Sequence, residues 1–166
     1  MLDISWEMCY MDKIQMALWK LVNPVTIITA NHEGKLSGFI GTWVTQASFA
    51  PPLIMAAINP RHYTYELVKA SGSFAVNVLK SDQATLVDSF GKRSGKTVDK
   101  FENIEYELGI TSSPILNDCV AYFDCQVVWE KEAGDHHIVI GSIVDANIKA
   151  GGETLVESPS MYKTHS

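Results

Sequence analysis

Residues 37–52, SGFIGTWVTQASFAPP, concentrate the side chains in this sequence best suited to holding a ligand. Gly38 and Gly41 allow a backbone to approach closely. Thr42, Thr45 and Ser48 offer hydroxyls, and Trp43 and Phe49 offer flat apolar surface. The same run also reads as an edge strand with bulges. A second stretch, FGKRSGKTVDKF (residues 90–101), holds Lys92, Arg93, Lys96 and Lys100 and looks at first sight like a phosphate-gripping P-loop. A P-loop needs one more residue between its glycines, so that backbone N–H groups close around the phosphates. Only Lys92, Arg93 and Ser94 separate Gly91 from Gly95. The stretch is therefore a basic loop, either touching a smaller phosphate or merely solvated.

The elements that must position these groups follow from periodicity. Ile14, Ala17, Leu18 and Leu21 recur at helical spacing from Met11 to Leu21, and Pro24 stops that helix. Val25 to Ala30 is a β-branched strand, NHEGK (31–35) a hairpin turn, and Leu36 to Ser48 the next strand-like run. Pro51 and Pro52 break that run ahead of an apolar strand, Leu53 to Ile58. Thr64 to Ser71 fits a short helix ended by Gly72, and Phe74 to Leu79 another strand. Ser81 or Asp82 is the expected cap of a helix to about Phe90. The chain then reads as irregular to about Asn117. Val120 to Glu130 and His136 to Ile148 are the closing strands, joined by a turn at Ala133-Gly134-Asp135. Many strands, short helices and adjacent strand pairs predict a mostly β fold, an antiparallel Greek-key barrel with helices as plugs or covers. Residues 1–10 read as an N-terminal arm and 11–166 as one domain.

The run T-W-V-T-Q-A-S-F-A-P-P, together with SGSFAVNVL (71–79), FGKRSGKTVDKF and GDHHIVIGSIVDA (134–146), resembles the flavin reductase-like family of FMN-binding split-barrel proteins. These landmarks come in the family's order and cover roughly residues 14–148. The resemblance implies that Thr42, Trp43, Val44 and Thr45 line a flavin, and that Ser48 lies in the ribityl-phosphate region. It places Arg61, His62 and Thr64 at a helix start, where N–H groups and the Thr64 hydroxyl would hold a phosphate and Arg61 would add a charged contact. Thr64 also reads as a simple N-cap. His136, in the G-D-H pattern, is the candidate catalytic residue beside the flavin ring or the incoming nicotinamide, against the bland reading of a surface histidine. Lys92, Arg93 and Ser94 are candidates for the FMN phosphate or the nicotinamide nucleotide.

The implied cofactor is FMN, with FAD as the alternative flavin and NAD(P)H as co-substrate. No G-x-G-x-x-G follows a strand, so nicotinamide binding would not use a Rossmann unit. No G-x-S-x-G or H-E-x-x-H is present, and no metal site is expected: His137 alternates away from His136, and His32, His62 and His165 lack ligand spacing. Cys119 and Cys125, expected on one strand face with Ala121 and Phe123, read with Cys9 as small buried hydrophobes. Asn77 is expected to be a structural hydrogen-bonding residue.

A net charge of −6 disfavours nucleic-acid and anionic-membrane partners. No signal peptide or membrane-spanning run is visible, which predicts a cytoplasmic protein. Two functions follow: an NAD(P)H:flavin oxidoreductase, or an FMN electron carrier reduced by a redox partner protein. An apo barrel using its cleft for protein contact is the third. The resemblance also implies a homodimer.

Overall fold

The computed structural model describes residues 13–149 and 151–162. The arm over residues 1–10, Met11, Cys9 and His165 lie outside them. Helix α1, described over residues 13–18, precedes β1 (Thr26–His32), β2 (Lys35–Gly41), β3 (Val44–Ser48) and β4 (Leu53–Ile58). Helix α2 (Tyr63–Ser71), β5 (Ser73–Val78) and helix α3 (Thr85–Gly91) follow. A short hairpin of β6 (Tyr106–Leu108) and β7 (Pro114–Leu116) leads to the long strands β8 (Ala121–Ala133) and β9 (His136–Ile148).

Seven strands form one antiparallel sheet in the order β2-β1-β5-β8-β9-β4-β3. The first and last strands of that order are consecutive in sequence and are joined by Thr42 and Trp43 alone. Three peptide steps reach at most about 11 Å. The two sheet edges must therefore meet at that corner, so the sheet curls into a barrel-type fold of the expected mostly β class. Ile28, Phe39, Ile54, Val76, Cys125 and Val139 fill its interior. Helix α2 plugs one end, turning Thr64, Tyr65, Leu67 and Val68 inward at helical spacing. It stops where expected: Gly72 adopts φ 68° and its N–H closes on the Val68 carbonyl at 2.8 Å. On the sheet's other face α3, β7 and the segment through Phe101 cover Ile27, Ala75 and Leu79.

Four local expectations are corrected. The strand run 36–48 breaks at Thr42–Trp43, because beyond Gly41 the chain leaves β1 and pairs with β4. Neither Ser81 nor Asp82 caps α3, which starts at Thr85 after Ala84 without a side-chain cap. Residues 80 and 81 are instead tied to the C-terminal segment, Lys80 bridging Thr154 and Ser81 N–H donating to the Glu153 carbonyl at 2.9 Å. The stretch expected to be irregular contains β6 and β7. Cys119 and Cys125 do not share a face: Cys119 precedes β8, outside its alternation, and packs in the outer cluster, while Cys125 lies in the barrel interior. Both thiols are buried, and burial pushes them up to about 11 and about 12.

Asn77 is a structural residue, as expected. Its side-chain oxygen accepts from Leu116 N–H at 2.8 Å, and its amide nitrogen donates to the Ile27 carbonyl at 3.2 Å. These bonds stitch β7 to the sheet without a backbone ladder.

Candidate functional site

The β2–β3 corner brings Trp43 to the start of β9. Ring centroids of Trp43 and His136 lie 4.7 Å apart, tilted by 45°. His136 Nδ1 meets the Asp135 carboxylate at 2.8 Å, and this contact holds the Asp135 carboxyl below its usual range. His136 is therefore oriented by an acid, while half of the Trp43 surface stays open. His137 points elsewhere, its Nδ1 lying 2.8 Å from the Tyr65 hydroxyl, which also donates to Glu130 at 3.0 Å. Burial and the bond to Glu130 push that phenol up to about 12. The two adjacent histidines thus serve opposite sides of the strand.

The β4–α2 turn lies at the same barrel end, since Ile58 pairs with His137. Arg61 N–H donates to the Asn59 side chain at 3.0 Å, which shapes the turn. His62 is the N-cap of α2 but makes no side-chain cap, and its ring lies flat on Phe39, centroids 4.4 Å apart. Desolvation lowers the imidazole below its ordinary value, with the charges of Lys100 and His136 adding to the effect. Its surroundings therefore favour the neutral ring. Thr64 is not the N-cap: it is buried, and its hydroxyl is 2.9 Å from Ser37 Oγ. The N–H groups at the head of α2 are left without a capping side chain, the state that favours an anion there.

The basic loop folds against this helix head. Gly95 fits because a Cβ there would sit 2.3 Å from Ser37 Oγ. Lys96 pairs with Glu66 on α2 at 2.6 Å and sits 5.3 Å from the Tyr63 ring centre. Lys92 pairs with Asp88 on α3 at 2.8 Å, and Ser94 accepts the Lys96 N–H at 3.2 Å to form the turn. Arg93 is exposed. Lys100 closes the loop: its buried ammonium donates to the Gly38 carbonyl at 2.8 Å and the Phe90 carbonyl at 2.7 Å.

Two cavities flank the start of β3. One, of about 320 Å³, opens into the barrel past Val44, Val76, Phe123 and Ile143. The other, a groove of about 520 Å³, runs between α1 and β3 along Leu18, Trp19, Trp43, Val44, Thr45 and Met55. Both volumes are of ligand-site size, roughly 300–1,000 Å³. Of the two, only the groove is walled by Trp43, the ring that meets His136.

The fold thus brings Thr42, Trp43, Val44, Thr45, His136, Arg61, His62 and Thr64 to one end of the barrel, with Gly95 and Lys96 of the basic loop packed on the α2 head, Lys92 held by Asp88 of α3 and Arg93 exposed between them. It does not bring Ser48 there. Ser48 pairs with Leu53, at the far end of the β3–β4 pair from Ile58 and α2, about 17 Å along the strand. Phe39, Ser37, Gly95 and the clasp by Lys100 escaped the sequence reading. Their roles rest on contacts between distant segments, and only the crowding of glycines around Ser37 and the loop hinted at them.

Comparison with known proteins gives the chain its relatives. It is 33% identical over 141 residues to the high molecular weight rubredoxin of Moorella thermoacetica, covering 84% of this chain and 62% of that protein. It is 31% identical over 149 residues to the FMN reductase (NADH) RutF of Agrobacterium fabrum, covering 89% of this chain and 84% of that one. The crystal structure of flavoredoxin from Methanosarcina acetivorans matches with a TM-score of 0.72 at 31% identity, over 76% of this chain and 69% of its own. The chain spans only 50% and 38% of two further relatives, from Aeropyrum pernix and Rhizobium meliloti. The flavin reductase like domain matches residues 18–166, and the chain belongs to that family.

Proposed function

We propose that the chain binds a flavin, FMN ahead of FAD, and accepts a hydride onto it from NAD(P)H. The observation carrying this reading is the meeting, at one barrel end, of a half-open Trp43 beside an apolar groove with the uncapped head of α2 and the basic loop. A flat ring with a phosphate tail needs that combination. Bound flavin supplies two-electron chemistry that no side chain of this protein can. Thr42 to Thr45 and Trp43 would support the ring edge. Arg61, the α2 head and the basic loop with Lys92, Arg93 and Ser94 would hold the phosphate. His136, steadied by Asp135, would sit where the nicotinamide arrives. Ser48 lies too far along β3 to share the phosphate with Arg61.

A second reading is an electron carrier reduced by a protein donor, which the likeness to flavoredoxin favours. We also read the chain as a homodimer, for which the exposed Val128, Trp129 and Val144 offer apolar area. Among the described residues no helix is long and apolar enough to cross a membrane. Titrating the protein with FMN under fluorescence detection, then mixing the complex anaerobically with NADH or NADPH, tests the proposal. Rapid loss of the oxidised flavin spectrum is the expected result. Bleaching by a protein donor alone would assign the carrier role, and absence of flavin binding would overturn both readings.

A further inference from the structure

Among the described residues Lys100 is the one buried cation, and no carboxylate there pairs with it. Its two acceptors are neutral carbonyls from different parts of the fold. The loop of Glu33 and Gly34, at φ 52° and 81°, makes His32 and Lys35 a hydrogen-bonded pair. Alternation from that pair directs the Gly38 carbonyl off the unpaired edge of β2. The Phe90 carbonyl belongs to the last turn of α3, where carbonyls lack partners and favour a cation. One ammonium therefore ties the end of α3 to the open barrel edge, and loop 91–99 is the chain between. That loop presses Gly95 onto Ser37, which holds Thr64 at the head of α2.

We infer that Lys100 is a positioning residue for the phosphate of a bound flavin nucleotide, acting by clasping the basic loop against the α2 head. The inference rests on the proposed flavin binding. The clasp fixes the loop whose Gly95 and Lys96 pack on the α2 head and adds a positive field there, which His62 already feels. Of the titratable groups on the elements around it, His62 feels its charge; the others carried there are Tyr63 and Glu66 on α2, Asp88 on α3, Lys35 on β2, and Lys92, Arg93, Lys96 and Asp99 on the loop, with Glu66 and Asp88 engaged by Lys96 and Lys92. Burial brings the Lys100 amine down to about 8, so the ammonium is lost within an accessible pH range. Its loss weakens the clasp and the field together. The lowered imidazole of His62 is already neutral there.

The test compares FMN with riboflavin, which has the same ring and no phosphate. Ionisations of the ring cancel in the ratio of the two affinities, and the phosphate's second ionisation, near pH 6, is complete below the window. In the wild-type protein the ratio should fall about fivefold between roughly pH 7 and pH 9, as linkage to a group titrating near 8 and worth about tenfold gives. In Lys100→Met, FMN affinity at neutral pH should drop about tenfold, riboflavin affinity should change less than about twofold, and the ratio should be flat with pH. A flat wild-type ratio would overturn the inference without any variant. So would Lys100→Met losing both ligands equally, or keeping the wild-type slope. A wild-type protein that binds neither ligand removes the flavin reading itself, and this inference with it.

Discussion

Replacing Lys100 with Met removes the buried ammonium and keeps most of its aliphatic stem. Burial lowers the Lys100 amine from an ordinary 10.5 to about 8. At about 1.4 kcal/mol per unit, the folded state disfavours the charged form by about 3 kcal/mol. A cation with a lowered folded value binds fewer protons in the native than in the unfolded chain between those two pH values. The unfolding free energy of the ligand-free wild type therefore rises with pH from about 8 to 10.5, by about 3 kcal/mol from this group. The variant lacks that rise. Its absolute stability at neutral pH is a poorer readout, because orphaning the Gly38 and Phe90 carbonyls costs about 1–3 kcal/mol each and offsets the relieved desolvation. Urea unfolding followed by tryptophan fluorescence, repeated across this pH window, gives the difference between the two proteins, and their shared titrations cancel. Parallel stability curves for the two proteins would refute the buried, uncompensated ammonium.

Three further outcomes follow from named contacts. Gly95→Ala places a Cβ against Ser37 Oγ, so it should displace the basic loop, lower urea stability by about 1–3 kcal/mol and weaken FMN binding more than riboflavin binding. Asn77→Ala orphans the buried Leu116 N–H and should lower stability by about 1–3 kcal/mol, with faster amide exchange at Leu116 on hydrogen-exchange mass spectrometry. The raised, buried thiols of Cys119 and Cys125 should resist iodoacetamide in the native protein at about pH 8 and react once the chain is unfolded, as peptide mass mapping would show.

What was legible in the sequence was what local rules dictate. NHEGK specifies the β1–β2 turn, Gly72 the end of α2, and alternating apolar residues the β8–β9 pair joined at Gly134. The Trp43 and His136 motifs announce themselves by type, and both meet at the barrel corner. The β6–β7 hairpin was hidden because its strands are short and its anchors are non-local: Leu116 bonds a side chain 39 residues earlier, and the Pro114 carbonyl accepts from Thr29, 85 residues away. Ser48 looked like a neighbour of Trp43 in the motif. An extended strand with a bulge between Gln46 and Ser48 carries it away from the α2 head. Thr64 looked like a cap, and a buried partner on β2 takes its hydroxyl instead.

On the function proposed above, this barrel end holds a flavin that nicotinamide nucleotides can reduce. Anaerobic stopped-flow mixing of the FMN-loaded protein with NADH and with NADPH tests it most directly. At least one nucleotide should bleach the oxidised flavin band rapidly, and His136→Ala should slow the bleaching while FMN stays bound. A protein that binds no flavin would contradict the account at its base. One that binds FMN but is bleached by neither nucleotide would contradict the hydride-transfer role and leave the carrier reading in its place.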